Sequence, residues 1–161
     1  MQKQKLLFRI RLMISVFVIL LVLSGITAFP AYTEIKWLIS LHLFSDTSLM
    51  GAWLNKVFLA LQETNEKHPL LSYGFDWLAF AHIVIGTAFI GPFRDPVRNK
   101  WVIDWGMIAC LGVLPLALIA GPIRDIPRFH IIIDCSFGIF GIIPLMIVRR
   151  WIVQLEKIVE V

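Results

Sequence analysis

The sequence predicts an all-α integral membrane protein: a four-helix bundle with an extracytoplasmic amphipathic helical segment between its first and second spans. Three observations predict it. Of 161 residues, 58% are hydrophobic and the mean hydropathy is +0.81, whereas a soluble domain is nearer half apolar. The apolar letters gather into four long runs, and a helix needs about 20 largely apolar residues to cross hydrocarbon. The later runs are joined by one turn phrase written twice, GPFRDPVRNKWVID (91–104) and GPIRDIPRFHIIID (121–134). Seven of the fourteen positions are identical at an offset of thirty residues. A weaker echo follows, with GVLPL at 112–116 and GIIPL at 141–145. The repetition fits a duplication or turn grammar shared by two helix links.

The first run covers about residues 10–29, behind Lys3, Lys5, Arg9 and Arg11, and Pro30 ends it. A retained helix is expected rather than a cleaved signal peptide, because the region SGITA (24–28) has no clean A-x-A site. Residues 31–72 form the one sizeable segment outside the spans. IKWLISLHLF (35–44) is apolar but too short to cross. Asp46 or Thr47 is placed to cap a helix ending near Thr64, with Leu49, Met50, Trp53, Leu54, Val57, Phe58 and Leu61 on one face. Such a helix would lie in the interface or cap the bundle. The remaining spans are expected at about 73–90, 101–120 and 129–148. Residues 149–161 read as a short amphipathic end.

Each copy of the phrase obeys helix-boundary rules. Gly-Pro stops a helix, because proline cannot continue the hydrogen-bond ladder. Asp95 and Asp125 are then expected as N-caps of the helices that follow. Pro115 and Pro144 fall inside spans, where kinks are expected.

Charge sets the orientation. With the N-terminus inside, the inner segments hold ten Lys and Arg, and the outer segments hold Lys36, Lys56, Lys67, Arg124 and Arg128. That bias predicts both termini on the cytoplasmic side, in a membrane such as the bacterial cytoplasmic membrane. The net charge of +4 then reflects topology, and no aromatic and basic interleaving of the nucleic-acid type is present. Cys110 and Cys135 lie in spans without zinc spacing and are expected to pack as small hydrophobes.

Ionisable residues inside hydrocarbon are costly and are candidates for function. His130 and Asp134 are four apart and share a helix face with Gly138 and Gly141, small residues that let another helix approach. Ala79, His82 and Gly86 make a similar stripe on the second span. If the stripes face each other, His82, His130, Asp134 and Asp76 would meet in the outer half of the bundle. His82 and His130 could then ligate a haem b, with Asp134 orienting an imidazole, or the group could exchange protons with a quinone. The alternative is a hydrogen-bonded network pinning the helices together. Lys100 and Asp104, also four apart, are expected to form a local ion pair, with Arg149 or Arg150 as substitutes for Lys100. No Ser/His/Asp order, phosphate loop, HExxH or paired glycosidase-type carboxylates can be placed, so no catalytic motif is recognised. The leading expectation is a small subunit that works by associating with the bilayer and with other membrane-protein subunits, or with further copies of itself. A redox protein holding haem or quinone is the alternative.

Overall fold

The computed structural model describes residues 2–159, and these are helical almost throughout. The order is α1 (Gln2–Ile26), α2 (Ala31–Ser40), α3 (Leu49–Lys67), α4 (Pro69–Ala88), α5 (Ile90–Arg94), α6 (Lys100–Ile123) and α7 (Arg128–Val159). Four stretches are long and apolar enough to cross a membrane: Gln2–Ile26, Pro69–Arg94, Lys100–Ile123 and Arg128–Val159. They lie on the four apolar runs of the sequence, with different ends. α1 includes the cationic head and stops at Ile26, where the amides of Ala28 and Phe29 turn to carbonyls three residues back. α7 has 32 residues, about 48 Å at 1.5 Å per residue, against roughly 30 Å of hydrocarbon. The end expected as a separate amphipathic piece is therefore a continuation of α7; its last two residues lie outside the described ones. Val148, Ile152 and Leu155 are all buried, so one apolar face runs straight past Arg149 and Arg150.

The sequence leads one to expect a single membrane domain. By packing, the chain divides into two compact units, Leu20–Gly86 and the remainder, Met1–Ile19 with Thr87–Val161. The larger unit holds the first part of α1 with α5, α6 and α7. Its core is Ile10, Ile14, Phe89, Ile103, Leu145, Val148, Ile152 and Leu155, each at most 2% exposed. The spacings explain the choice. Ile10 and Ile14 are one turn apart on α1, and the four α7 residues step by three and four, which keeps one stripe inward.

Apolar area alone does not hold such helices together in lipid, because acyl chains are as apolar as leucine; close backbone approach takes over. The glycines supply it. A Cβ on Gly138 would sit 2.5 Å from the Cys110 carbonyl oxygen, and one on Gly141 3.0 Å from Cys110 Sγ. One on Gly106 would lie 3.0 Å from Phe89 and 3.1 Å from Leu145. One on Gly121 would lie 2.6 Å from Ile131 Cδ1. Residues rising along α6 therefore meet residues falling along α7, an antiparallel pair in contact over most of α6. Pro115 lies inside α6 and Pro144 inside α7, and neither ends its helix. Phe89 is wedged between Phe17, at a centroid distance of 5.0 Å, and Trp105, at 6.5 Å.

The smaller unit holds the end of α1, α2, α3 and most of α4. α2 and α3 lie side by side, with Tyr32 stacked on Phe58 at 5.4 Å. The α3 N-cap is neither Asp46 nor Thr47 but Ser48, whose hydroxyl accepts the Gly51 amide at 3.0 Å. The expected caps have other partners. The Asp46 carboxylate accepts from Asn55 Nδ2 at 3.2 Å, and the Thr47 hydroxyl bonds the Ser45 hydroxyl at 2.9 Å. α3 runs one turn beyond Thr64, to Lys67. The Lys67 ammonium bonds Glu63 at 3.0 Å, and that bond and charge hold the Glu63 carboxyl below its usual pKa. On α3, Met50, Trp53, Leu54, Val57, Phe58 and Leu61 are half-buried, whereas Leu49 is 74% exposed. Pro69 opens α4, at the position where a missing amide hydrogen leaves no bond unmade.

Candidate functional site

Histidine and aspartate inside the apolar helices are the chemically capable groups, and they fall into separate surroundings. His82 belongs to the smaller unit. It sits where α4 crosses the end of α1: a side chain on Gly25 would collide with the His82 Cβ and Cγ. The glycine is thus the seat of the imidazole. His82 Nδ1 is 2.8 Å from the Leu78 carbonyl oxygen. A carbonyl can only accept, so Nδ1 carries the proton, and a neutral ring would present Nε2 as a lone pair. The stripe read from the sequence is present, with Ala79 and Gly86 buried beside the half-buried His82.

His130 and Asp134 belong to the larger unit, in the first two turns of α7. His130 Nε2 is 3.8 Å from Asp134 Oδ1, and each side chain is 41% exposed. That separation is too long for a hydrogen bond; it is an ion pair only when the imidazole is protonated. The Phe129 ring stands edge-on to His130 at 6.4 Å. Gly138 and Gly141, on the same face, meet Cys110. The helix that the small residues admit is therefore α6 of the same chain. Cys110 and Cys135 are both free thiols, half-buried.

A second polar system, distributed over four elements, lies in the larger unit. Arg11 on α1 reaches α5, where its Nε donates to the Phe93 carbonyl at 3.0 Å and its guanidinium lies 5.8 Å from the Phe93 ring centre. A second bond, from Nη2, goes to the Arg94 carbonyl at 3.4 Å. These carbonyls end a helix, where backbone acceptors lack partners and a cation is favoured. Lys100 and Asp104 do not pair with each other as expected. Lys100 bonds Glu156 on α7 at 2.7 Å, and Asp104 takes Arg149 at 2.5 Å. A lysine four residues before an acid is the weaker order against the helix dipole. The long α7 also brings Glu156 within reach, which a helix ending at residue 148 would not. Arg149 is one of the two substitute partners that the sequence offers Asp104. Glu156 and Arg11 carry no local signal, since their partners are 56 and 82 residues away.

The two expected N-caps do other work. The α6 N-cap is Asn99. Asp95 ends α5 instead, in extended backbone at φ −133° and ψ 90°, and its carboxylate accepts the Arg98 amide at 3.1 Å within the turn that follows. Asp125 has φ 54°. It stands after the C-cap Arg124 of α6, with its amide on the Pro122 carbonyl at 3.2 Å and the Ile126 amide on Gly121 at 3.0 Å. That pair of bonds is a Schellman closure, so Asp125 finishes α6 rather than starting α7. α7 begins after Pro127, whose carbonyl accepts the His130 and Ile131 amides.

Among the described residues, no three His, Cys, Asp or Glu side chains gather as a metal ion would require. The groups present are therefore an imidazole and a carboxylate 3.8 Å apart on α7 and, on α4, a His82 imidazole whose Nδ1 meets a carbonyl. No family model matches the chain, and neither a curated protein nor a solved structure matches it significantly.

Proposed function

We propose that this chain is a polytopic membrane protein that works as a partner-binding component of a membrane assembly. One observation carries the reading: Asp134 lies on an apolar helix with 41% of its side chain accessible. A carboxylate on a membrane helix is expensive unless it faces a bundle interior, water or a polar partner. A neighbouring helix bearing a hydrogen-bond donor would cover it. The remaining helix surface fits lipid or further apolar contacts, since only 17–22% of an 18-residue apolar window in each candidate span is buried within the chain.

Both termini are assigned to the cytoplasmic side. Ten of the fifteen Lys and Arg fall to that side by count. The meeting of Arg11 with the end of α5, and of Lys100 with Glu156, supports placing both ends on one side, and the charge count chooses which. These contacts bring the head of α1, the α5–α6 link and the end of α7 to one end of the larger unit.

The test is mild-detergent extraction of the tagged chain from its native membrane. The wild type is expected to bring down defined membrane proteins, and Asp134→Leu is expected to lose them while still inserting. Retention of the same partners by Asp134→Leu overturns the reading. A redox role is the second reading, favoured by the His82 ring, whose Nδ1 proton is fixed on a carbonyl and whose Nε2 is left as the ligating nitrogen. Under it, protein made with ample haem shows a Soret band that His82→Ala abolishes; the absence of any such band removes it.

A further inference from the structure

A partly open pocket lies at the turn between α2 and α3, outside the four candidate spans. Its volume is about 160 Å³; a pocket of roughly 150 Å³ holds a benzene-sized molecule. Three polar side chains line it, His42, Asp46 and Asn55, and its walls include Leu38, Leu43, Phe44 and Leu54. Among the described residues, no lysine or arginine lines it. The nearest cation along α3, Lys56, lies over the Trp53 ring at 5.6 Å.

The hydrogen bonds already made decide what the lining can still do. His42 Nδ1 is 2.8 Å from the Ser40 carbonyl, so it holds the proton and a neutral ring keeps Nε2 as an acceptor. Asn55 gives its Nδ2 to Asp46 at 3.2 Å, which leaves its Oδ1 as an acceptor. Asp46 is an acceptor throughout when ionised. The three polar side chains of the lining therefore keep three acceptor groups, one of them a carboxylate, beside aliphatic and aromatic side chains.

The turn that carries them is firmly built. The Ser48 hydroxyl donates to the Ser45 carbonyl at 2.6 Å while capping α3. Gly51 is buried so tightly against Ser45 that a side chain there would collide with its carbonyl. His42 is held at φ 50°, in the left-handed region that non-glycine residues rarely enter.

We infer that this cavity binds a primary ammonium group on a short hydrocarbon stem. An –NH3+ group has three donors and one positive charge, which matches three acceptors of which one is a carboxylate; the stem lies along the leucines and Phe44. The same chemistry is carried by a free alkylamine and by the head group of an ethanolamine lipid. The inference does not depend on the partner-binding reading, because it uses none of the same residues.

The experiment follows the Gly51 amide and the Asn55 side-chain amide by NMR, using the full 15N-labelled chain in detergent micelles. Hexylamine, hexanol and hexyltrimethylammonium are titrated, with one stem and three heads. Hexylamine is expected to saturate the shifts at a concentration at least about tenfold lower than either competitor, because a hydrogen bond between charged groups is stronger than one to a neutral group. Asp46→Asn, which can still accept from Asn55, is expected to erase that preference. Equal saturation by the amine and the alcohol overturns the inference, and so does an Asp46→Asn chain that keeps the preference. The ligand series uses the unaltered chain, so its outcome stands even where the variant fails to fold. A second arm distinguishes the sources by native mass spectrometry after incubation with ethanolamine and choline lipids. Selective retention of the ethanolamine lipid assigns the site to a head group; no retention, with hexylamine still preferred, assigns it to a soluble amine.

Discussion

The two copies of the turn phrase share half their letters and fold into different links. In the first copy, Gly91 and Pro92 lie in α5, and the chain leaves that helix at Asp95 in extended backbone. It then turns through residues 96–99 before α6 begins at Lys100. In the second copy, Gly121 and Pro122 are still inside α6, Asp125 is left-handed, and α7 begins at Arg128. The cause is a proline moved by one position. A proline drives the residue before it out of the helical region. Pro96 follows the aspartate and forces Asp95 into extended backbone. Pro127 comes one position later, so that restriction falls on Ile126, and Asp125 is free to close α6. Identical aspartates at equivalent positions thus become an acceptor inside a turn and a helix terminator.

The contrast can be broken at its glycines, where the largest effect is expected. A Cβ on Gly121 meets Ile131 at 2.6 and 2.7 Å, whereas one on Gly91 meets only the Asn99 side chain, at 3.1 Å and beyond. Overpacking costs about 1–3 kcal/mol, and replacing a helical glycine by alanine returns up to about 1 kcal/mol. Gly121→Ala should therefore lose up to about 2 kcal/mol and Gly91→Ala close to nothing, read as shifts of the SDS-unfolding midpoint. Equal losses would mean that the links are packed alike.

Asn99 comes next. Its Nδ2 donates to the Asp95 carbonyl at 2.9 Å and to the Gly91 carbonyl at 3.3 Å, clasping the first link. The second copy has Phe129 at this position and no such clasp. Asn99→Asp would turn a carboxylate toward two carbonyls and should cost about 1.5 kcal/mol, with Asn99→Ala nearer 1 kcal/mol. The Phe129→Ala chain is the control, expected to change the unfolding midpoint less than either.

At the aspartates the signs should be opposite. Asp95→Ala removes the acceptor of the Arg98 amide and should cost about 1 kcal/mol. Asp125→Gly relieves a side chain held at φ 54° and should gain about 0.5–1 kcal/mol. Thermal unfolding of the two variants in one detergent checks both; two losses would mean that Asp125 has a side-chain role.

These links show what was legible. Helix existence was, because four apolar runs require it whatever surrounds them. So was the His130–Asp134 neighbourhood, since four residues on a helix fix a distance, and so was the close approach at Gly138 and Gly141. Local order in the turns was not: Gly-Pro and Asp mark helix boundaries, but the proline register decides which side of the boundary each aspartate serves. The seat of His82 on Gly25 and the clasp of Lys100 by Glu156 join residues far apart in sequence. The second is hidden further when α7 is read as ending at residue 148, which removes Glu156 from reach and leaves Asp104 as the nearest acid to Lys100.

The equivalent aspartates Asp104 and Asp134 sharpen the comparison with the smallest effects. Asp104 is tied across to Arg149 on another helix at 2.5 Å, with side chains 38% and 45% exposed. Exposure limits such a pair to about 0.2–1 kcal/mol. Asp104→Asn should therefore cost about 0.5 kcal/mol, and added salt should shrink the difference as the charges are screened. Asp134 lies 3.8 Å from a histidine one turn away on its own helix, so Asp134→Asn should change stability by about a few tenths of a kcal/mol at most. The pair of measurements separates two uses of one residue type. At position 104 the carboxylate joins helices of its own unit, and its loss appears in unfolding. At position 134 it neighbours a histidine of its own helix, and under the proposed partner-binding reading its loss should appear in co-purification while unfolding is nearly unchanged. If Asp134→Asn unfolds more readily than Asp104→Asn, the Asp134 carboxylate is part of the packing, and the second copy has to be read as structural like the first.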